Sequence, residues 1–238
     1  EAKFASSISN YLGTNHNELE VSSLDAQSVI PNISNIYSEP FADSSQIPVY
    51  LICKEIKNQG IKVALGGDGG DELFGGYNRH RIAPIINKST GFLPSIIRRG
   101  LSSCLEYIPV SKKGLSMDKH QKLIKAIKVS NSLDNIYNIL LSVWQDQNNP
   151  IKINYDDLYN QNINLLQAKT KEEKLMLADT IQYLPTDILA KLDRAAMANS
   201  LETRCPFLDA RVAEIAWRLP LNMKIRRSGF RLESKWIL

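Results

Sequence analysis

Apolar and polar residues alternate with helical or strand spacing along the first part of the chain. Residues 1–13, "EAKFASSISNYLG", have helical spacing and end at a glycine, a residue that commonly stops helices. Residues His16–Ser22 alternate as the residues of a half-buried strand do. Asp25–Tyr37 carries one apolar stripe at helical spacing. The pattern therefore predicts a helix, a strand and a second helix in this order.

The next segment predicts a longer helix followed by a buried strand. Asp43, Ser44 and Ser45 are residue types that cap helices, and the apolar face that follows them ends at Gly60. Ile61–Leu65 ("IKVAL") is a short continuous apolar run, which suits a buried parallel strand. Helices that alternate with strands indicate an α/β sheet with crossover helices.

After Arg79 the pattern is helical, and it predicts no further strand. Four segments have the spacing of helices: Phe92–Tyr107, Met117–Val129, Leu133–Trp144 and Lys171–Tyr183. Residues 145–157 are rich in Asn and Asp and predict a loop. Pro185 predicts a break, after which Thr186 caps a new helix.

The last part of the chain predicts two more helices. Asp209 is a capping residue before an apolar face that Pro220 terminates, and the final residues "GFRLESKWIL" continue in helical spacing. Together the elements predict an α/β protein: a partial parallel-sheet region over residues 1–80 and a mainly helical part over residues 81–238.

Composition excludes several classes of protein. The net charge is +4, and the basic residues are scattered, so no basic face for nucleic acid is expected. There is no apolar run of the length that spans a bilayer and no signal-peptide pattern, so no membrane partner is expected either. We expect a cytoplasmic protein.

The cysteines and histidines predict no metal site of the zinc type. The three cysteines lie far apart without a CxxC pair, which is typical of reduced thiols. His16, His80 and His120 share no spacing, and we predict no role for them. Tyr77 and Arg79 either border a site or pack beneath the adjacent loop.

The segment "ALGGDGGDELFGGYNRH" (64–80) mixes glycines with acidic residues directly after the predicted strand. In one interpretation, glycine N–H groups contact a phosphate while Asp68, Asp71 and Glu72 hold Mg²⁺. In a second, residues 66–74 form a calcium nonapeptide, although such motifs work as stacked repeats and the chain has one copy. In a third, the segment is a turn whose acids face water. Its place at a strand's carboxyl end favours a ligand, but the local sequence leaves all three open.

The segment "LAKLDRAAMANSLETR" (189–204) also has two interpretations. It is either a surface helix with ordinary ion pairs or part of a buried network beneath an active site. The network would contain Arg194, Glu202 and Arg204. Spacing alone does not separate the two.

Several separated motifs resemble one family. "LGGDGGDELFGGY" (65–77) and "DILAKLDRAAMANSLETRCPFLDARV" (187–212) resemble the synthetase domain of glutamine-dependent asparagine synthetases. "EPFADSSQIPVYL" (39–51) and "KWIL" (235–238) fit the same family. The resemblance spans nearly the whole chain and implies an α/β fold of the adenine nucleotide α-hydrolase type. It implies that residues 1–80 are a partial nucleotide-binding region and that residues 81–238 are the mainly helical part of the same synthetase domain.

The resemblance implies an ATP-dependent ligase that forms asparagine. ATP adenylates the side-chain carboxylate of aspartate and releases pyrophosphate, and ammonia then attacks β-aspartyl-AMP. The ammonia comes from glutamine, which a glutaminase domain of the same polypeptide cleaves. ATP and Mg²⁺ are the implied cofactors. The alternative is a related amidotransferase that acts on another carboxylate, such as a sugar acid or a peptide.

Residue roles near the predicted strand follow from the resemblance. Gly66 and Gly67 fall where the family's loop contacts ATP through its backbone. Asp68 falls at the acidic position that deprotonates the attacking ammonia. Many members carry Ser in place of Gly66 and Glu in place of Asp68, and the shorter Asp has a reach that is smaller by about 1.5 Å.

The resemblance also implies metal and substrate residues. Asp71 corresponds to a magnesium aspartate of the family, and Glu72 beside it is a second candidate. Lys191, Asp193 and Arg194 fall on a segment that approaches the substrate. They would form a wall of the active site.

Three parts of the family pattern are expected outside these residues. A Ser-Gly-Gly-x-Asp-Ser pyrophosphate loop is not in the sequence, and we expect it upstream of Glu1. A lysine that contacts pyrophosphate, in an Arg-x-Lys pattern, is expected beyond Leu238. The glutaminase domain is expected on the N-terminal side. We therefore expect a fragment of a longer protein, without synthetase activity of its own.

Overall fold

The computed structural model describes residues 2–108, 117–142, 168–228 and 231–238. The chain forms two units, one from Glu1–Gly66 with Asp187–Arg204 and the other from Gly67–Thr186 with Cys205–Leu238. The sequence-based division into residues 1–80 and 81–238 stays a prediction.

Helices at the start of the first unit agree with the apolar pattern. The first spans Ala2–Leu12. The helix predicted over Asp25–Tyr37 is confirmed, but it is interrupted. Ser23–Val29 and Ile33–Tyr37 are α-helical, and a 3₁₀ turn at Ile30–Asn32 separates them. The strand expected over His16–Ser22 is wrong. These residues are all exposed and form no regular element, so no buried face supports their alternation.

A two-stranded parallel sheet lies in the first unit. Strand β1 (Val63–Leu65) pairs in parallel with strand β2 (Glu202–Arg204), which confirms a parallel strand after the helix Gln46–Asn58. The expectation that this strand is buried is wrong, because Val63 is 42% exposed and Leu65 74% exposed. In the described part of the chain, β2 is the one strand paired with β1.

The core of the first unit joins the two sequence segments that compose it. Cys53 of the helix Gln46–Asn58 packs against residues of the helix Ala190–Met197 and the turn after it. These residues are Ala195, Ala196 and Leu201. Ala64 of β1 packs against the same cluster, so the alternate side of the strand faces the helices.

The second unit is mainly helical. Its described α-helices are Gly70–Phe74, Asn78–Thr90, Ser95–Glu106, Met117–Lys128, Leu133–Leu141, Lys171–Ala178, Ala210–Arg218 and Leu221–Lys224. The four predicted helices are thereby confirmed. Trp144 and the predicted loop 145–157 lie outside the described residues. The largest apolar cluster contains Ala83, Ile86, Ala126, Ile136 and Leu175.

The helical stretch around Pro185 does not break as expected. A π-helix spans Asp179–Leu189 between the α-helices Lys171–Ala178 and Ala190–Met197. Thr186 does not cap a helix, because its hydroxyl donates to the Gln182 carbonyl at 2.6 Å. Proline removes one backbone donor, and the wider π turns accommodate it without ending the helix.

The end of the chain corrects two expectations. Strand β3 (Ile225–Ser228) pairs antiparallel with strand β4 (Arg231–Ser234), so the predicted final helix is wrong. The expectation of no strand after Arg79 is also wrong, because β2, β3 and β4 all follow it. Strands of three or four residues are too short for periodicity to identify, and pairing with a neighbour decides their conformation.

The helix Ala210–Arg218 forms as the sequence predicts. The Asp209 carboxylate caps it by accepting the Arg211 N–H at 2.9 Å, and the helix ends before Pro220. Across the described residues, no helix is both long enough and apolar enough to cross a membrane.

Gly75 is a position where the fold requires glycine. Its φ is +70°, and a Cβ there would lie 2.7 Å from Cγ1 of Ile225. We expect Gly75→Ala to lower the free energy of unfolding by about 1–3 kcal/mol, because left-handed strain and overlap act together. Urea unfolding followed by circular dichroism measures the change.

Gly100 provides the matched control for this substitution. It lies inside the helix Ser95–Glu106, and a Cβ there would meet nothing within 4 Å. Gly100→Ala should therefore raise the free energy of unfolding by about 0.5–1 kcal/mol. A Gly75→Ala variant as stable as the parent would contradict the required conformation.

Candidate functional site

The glycine- and acid-rich segment leaves the carboxyl end of β1, as the sequence predicts. The Gly66 N–H donates to the Arg204 carbonyl at 2.8 Å, so the ends of β1 and β2 lie side by side in the first unit. Gly67 is the first residue of the second unit. It is exposed, and a side chain at this position would meet nothing within 4 Å. The backbone at Gly67 is therefore open to close approach by a ligand.

Asp68 lies partly exposed next to a thiol. Its Oδ2 is 4.0 Å from Sγ of Cys205, which can donate its S–H to the carboxylate. Burial raises the pKa of the Cys205 thiol, and the negative charge of Asp68 raises it further. The thiol therefore stays protonated and can act as a donor to the Asp68 carboxylate.

Asp71 is half exposed and faces a cation. Its Oδ1 lies 2.9 Å from Nζ of Lys235, which follows β4. The Asp71 side chain is 38% exposed, so a ligand can reach this carboxylate. Lys235 begins the motif "KWIL", which carries part of the resemblance but does not itself predict a candidate site residue.

Glu72 is directed into the interior of the second unit. It is 1% exposed, and the Tyr77 hydroxyl donates to its Oε1 at 2.7 Å. Burial raises the pKa of Glu72, and the hydrogen bond from Tyr77 opposes this only in part. The two adjacent acids therefore have different environments, and Asp71 is the one that meets solvent.

The described residues contain no group of three or more His, Cys, Asp or Glu side chains placed to hold a metal ion. Mg²⁺ commonly takes one or two protein carboxylates and completes its shell with water and substrate phosphates. The exposed carboxylate of Asp71 fits such a role. Glu72 does not fit it in this structure, because its carboxylate is enclosed and engaged with Tyr77.

A buried polar network lies behind the segment. Asp179 has no exposed surface and accepts hydrogen bonds from three side chains: Arg79 Nε at 2.8 Å, His80 Nε2 at 2.5 Å and Tyr137 Oη at 2.6 Å. Burial opposes ionisation, but the bonds from His80 and Arg79 outweigh it and lower the pKa of Asp179. Burial lowers the pKa of His80, so the imidazole is neutral and Arg79 supplies the positive charge.

The predicted substrate residues lie on the helix Ala190–Met197 of the first unit. The Lys191 ammonium is buried and donates to Asp43 and, at 2.7 Å, to Ser45. Arg194 donates to the Tyr37 carbonyl. Asp193 is exposed. Lys191 and Arg194 therefore tie this helix to the segment before the helix Gln46–Asn58.

The structure thus distributes the predicted site residues over both units. Gly66 belongs to the first unit together with Lys191, Asp193 and Arg194. The second unit contains Gly67, Asp68, Asp71 and Glu72, together with Lys235. No motif in the sequence points to Asp179, because its hydrogen-bond partners come from distant segments.

Burial of Glu72 predicts a distinct pH dependence of stability. Its folded-state pKa lies above the ordinary value of 4.5, so the unfolded chain loses this proton first as the pH rises. Above pH 4.5 the free energy of unfolding should therefore fall relative to Glu72→Gln, by no more than about 1.4 kcal/mol per pH unit, until the folded pKa is passed. Urea unfolding at a series of pH values measures the difference.

Glu214 is the matched control, because it is an exposed carboxylate paired with Arg218 on one helix. Glu214→Gln should change the free energy of unfolding by less than about 0.5 kcal/mol at each pH. If the difference in free energy of unfolding between the parent and Glu72→Gln stayed constant from pH 4 to pH 8, a raised pKa of Glu72 in the folded state would be contradicted.

Comparison with known proteins gives the family. The family model described as Asparagine synthase matches residues 1–238. The asparagine synthetase [glutamine-hydrolyzing] 1 of Bacillus subtilis (strain 168) is 31% identical over 203 residues, which cover 83% of this chain and 31% of that protein. A putative asparagine synthetase [glutamine-hydrolyzing] of Mycobacterium tuberculosis H37Rv is 29% identical over 220 residues, with 91% and 33% covered.

The chain thus spans about a third of the length of these curated relatives. Asparagine synthetase B of Escherichia coli K12 is 36% identical over a shorter stretch of 88 residues, which covers 35% of this chain and 16% of that protein. No solved structure matches the chain significantly. The family match over all residues confirms the resemblance drawn from the motifs, and the chain belongs to the asparagine synthase family.

Proposed function

We propose that the chain is part of an ATP-dependent asparagine synthetase with a fold of the adenine nucleotide α-hydrolase type. The observation that carries the proposal is the segment after β1, where the open backbone of Gly67 is followed by the accessible acids Asp68 and Asp71. Ligands of parallel α/β sheets bind at the carboxyl ends of strands. Membership of the asparagine synthase family supports the same assignment.

The proposed reaction has two steps. The side-chain carboxylate of aspartate attacks the α-phosphorus of ATP, which forms β-aspartyl-AMP and expels pyrophosphate. Ammonia then attacks the activated carbonyl carbon, so that asparagine forms and AMP leaves. Adenylation is required because a free carboxylate is a poor electrophile. A glutaminase domain of the same polypeptide would supply the ammonia from glutamine.

The segment after β1 would contact ATP and the nucleophile. Gly66 and Gly67 present backbone to the nucleotide, and Gly67 has no neighbouring side chain to obstruct it. Asp68 accepts the proton that ammonia loses as the C–N bond forms. The protonated thiol of Cys205 lies 4.0 Å from that carboxylate and can donate to it.

Asp71 would hold Mg²⁺ together with phosphate oxygens, and the metal when bound offsets the charge of the departing pyrophosphate. The ion pair of Asp71 with Lys235 keeps this carboxylate neutralised before a ligand arrives. Lys235 is then free to face the phosphates as a second cation. Glu72 was a candidate metal ligand, and the enclosure of its side chain favours Asp71 for that role.

Lys191, Asp193 and Arg194 would form a wall of the substrate site. The buried Lys191 ammonium is already bonded to Asp43 and Ser45, so its contribution is to hold the helix in place. Asp193 is exposed, and Arg194 is partly exposed although it donates to the Tyr37 carbonyl, so these two side chains are more accessible to a substrate than Lys191. The proposal therefore assigns substrate contact to them.

Substitutions of the two accessible acids test the function in the complete natural polypeptide. Asp68→Asn should lower kcat for asparagine formation by about 10²-fold or more, since the general base is lost. Asp71→Asn should raise the Mg²⁺ concentration required for half-maximal rate. Asparagine and AMP are quantified by chromatography.

Asp118→Asn is the control, because this exposed carboxylate pairs only with the surface residue Lys122 among the described ion pairs and lies outside the proposed site. Its kinetic constants should equal those of the parent. Amidation of a sugar acid or a peptide carboxylate, without amidation of aspartate, would replace the proposed substrate by the alternative class.

The 238-residue chain by itself should be inactive. It lacks the Ser-Gly-Gly-x-Asp-Ser loop that would bind pyrophosphate, so the transition state for adenylation is not stabilised. Incubation with aspartate, ATP, Mg²⁺ and ammonia should yield no AMP above a protein-free blank. AMP formed in proportion to protein and aspartate would overturn this expectation.

A further inference from the structure

Asp179 joins three helical segments of the second unit through its buried carboxylate. Arg79 and His80 come from the first turn of the helix Asn78–Thr90, and Tyr137 comes from the helix Leu133–Leu141. Asp179 itself is the first residue of a π-helix. This conformation is rare in proteins, and where it occurs it often lies at a functional site. A carboxylate without exposed surface is tolerated only when such donors replace its hydration.

The network continues from Asp179 towards the acidic segment. The Arg79 guanidinium, held by Asp179, lies 3.9 Å from the centroid of the Tyr77 ring. The Tyr77 hydroxyl donates to Oε1 of Glu72 at 2.7 Å. Glu72 directly follows Asp71 in the short helix Gly70–Phe74.

Each link in this path fixes the orientation of the next. A guanidinium bonded through Nε has little freedom to rotate, and it covers one face of the Tyr77 ring. The rings of His80 and Tyr183 both contact the Tyr77 ring edge-on. Their centroids lie 5.5 Å and 5.7 Å from the Tyr77 centroid, respectively. The hydroxyl of Tyr77 is therefore aimed at Glu72, and the helix that begins two residues after Asp68 is held through this bond.

We propose that Asp179 is a positioning residue, which acts through Arg79 and Tyr77 to hold the segment that carries Asp68 and Asp71. The inference rests on the proposed function for its catalytic consequence. It assigns Asp179 no contact with substrate. A carboxylate buried behind the segment sets where the two accessible acids lie, and small misplacements of reacting groups are costly in rate.

Hydrogen–deuterium exchange in the complete natural polypeptide tests the positioning directly. Asp179→Asn places an amide N–H₂ against the donors of Arg79 and His80, so amides of residues 67–77 should exchange about tenfold faster or more. Tyr77→Phe keeps the ring but removes the bond to Glu72, and it should loosen the same residues. If Asp179→Asn fails to fold, Tyr77→Phe still tests the proposal.

Ile136→Val is the control for a general loss of stability. Ile136 is fully buried in the apolar cluster of the same unit and makes none of the contacts in the network. Exchange over residues 67–77 should not change in this variant. Unchanged exchange in Tyr77→Phe and in a folded Asp179→Asn would overturn the proposal.

Kinetics give a second readout that a merely structural role would not produce. Asp179→Asn and Tyr77→Phe should lower kcat about tenfold or more while KM for ATP changes less than about threefold. If Ile136→Val lost as much kcat as Asp179→Asn and Tyr77→Phe, and the variants had the same melting temperature, the positioning role would be contradicted. If the parent polypeptide forms no asparagine, the proposed function fails, and the exchange measurements still decide the role of Asp179.

Discussion

The burial of the Asp179 carboxylate is the constraint on which the second unit depends. A charge without exposed surface destabilises a protein by several kcal/mol unless donors compensate it. Here the compensation comes from Arg79, His80 and Tyr137, which belong to segments far apart in sequence. The carboxylate stays ionised because Arg79 balances its charge, while His80 and Tyr137 are neutral donors. The three elements therefore have one mutual arrangement that satisfies this group.

The acidic segment combines fold requirements with accessible chemistry. Gly75 takes a left-handed conformation against Ile225, and a Cβ at Gly76 would lie 1.6 Å from Oδ1 of Asp71. These glycines are therefore explained by packing within the chain. Gly67, in contrast, has open space beside it. The same residue type thus has two physical origins in one short segment, and only the open position points to a ligand.

The sequence pattern predicts the elements that local residue types determine. The helix capped by Asp209, the helix Gln46–Asn58 and the parallel strand β1 all follow from residue type and periodicity. It failed where tertiary contacts decide, as in the hairpin of β3 and β4 and the π-helix through Pro185. For the candidate site, the sequence placed the acids after β1 but did not predict how far each is buried. The different environments of Asp71 and Glu72, which are adjacent in sequence, depend on Lys235 and Tyr77.

The first unit is discontinuous in sequence, and this has a consequence for its synthesis. Strand β1 and Cys53 are made early, whereas their partners β2, Ala195 and Leu201 emerge from the ribosome much later. Until then, β1 has a free edge beside exposed apolar residues, which is the kind of surface that chaperones cover and that otherwise aggregates. The interval between translation of β1 and of β2 is thus a period of vulnerability for the nascent chain.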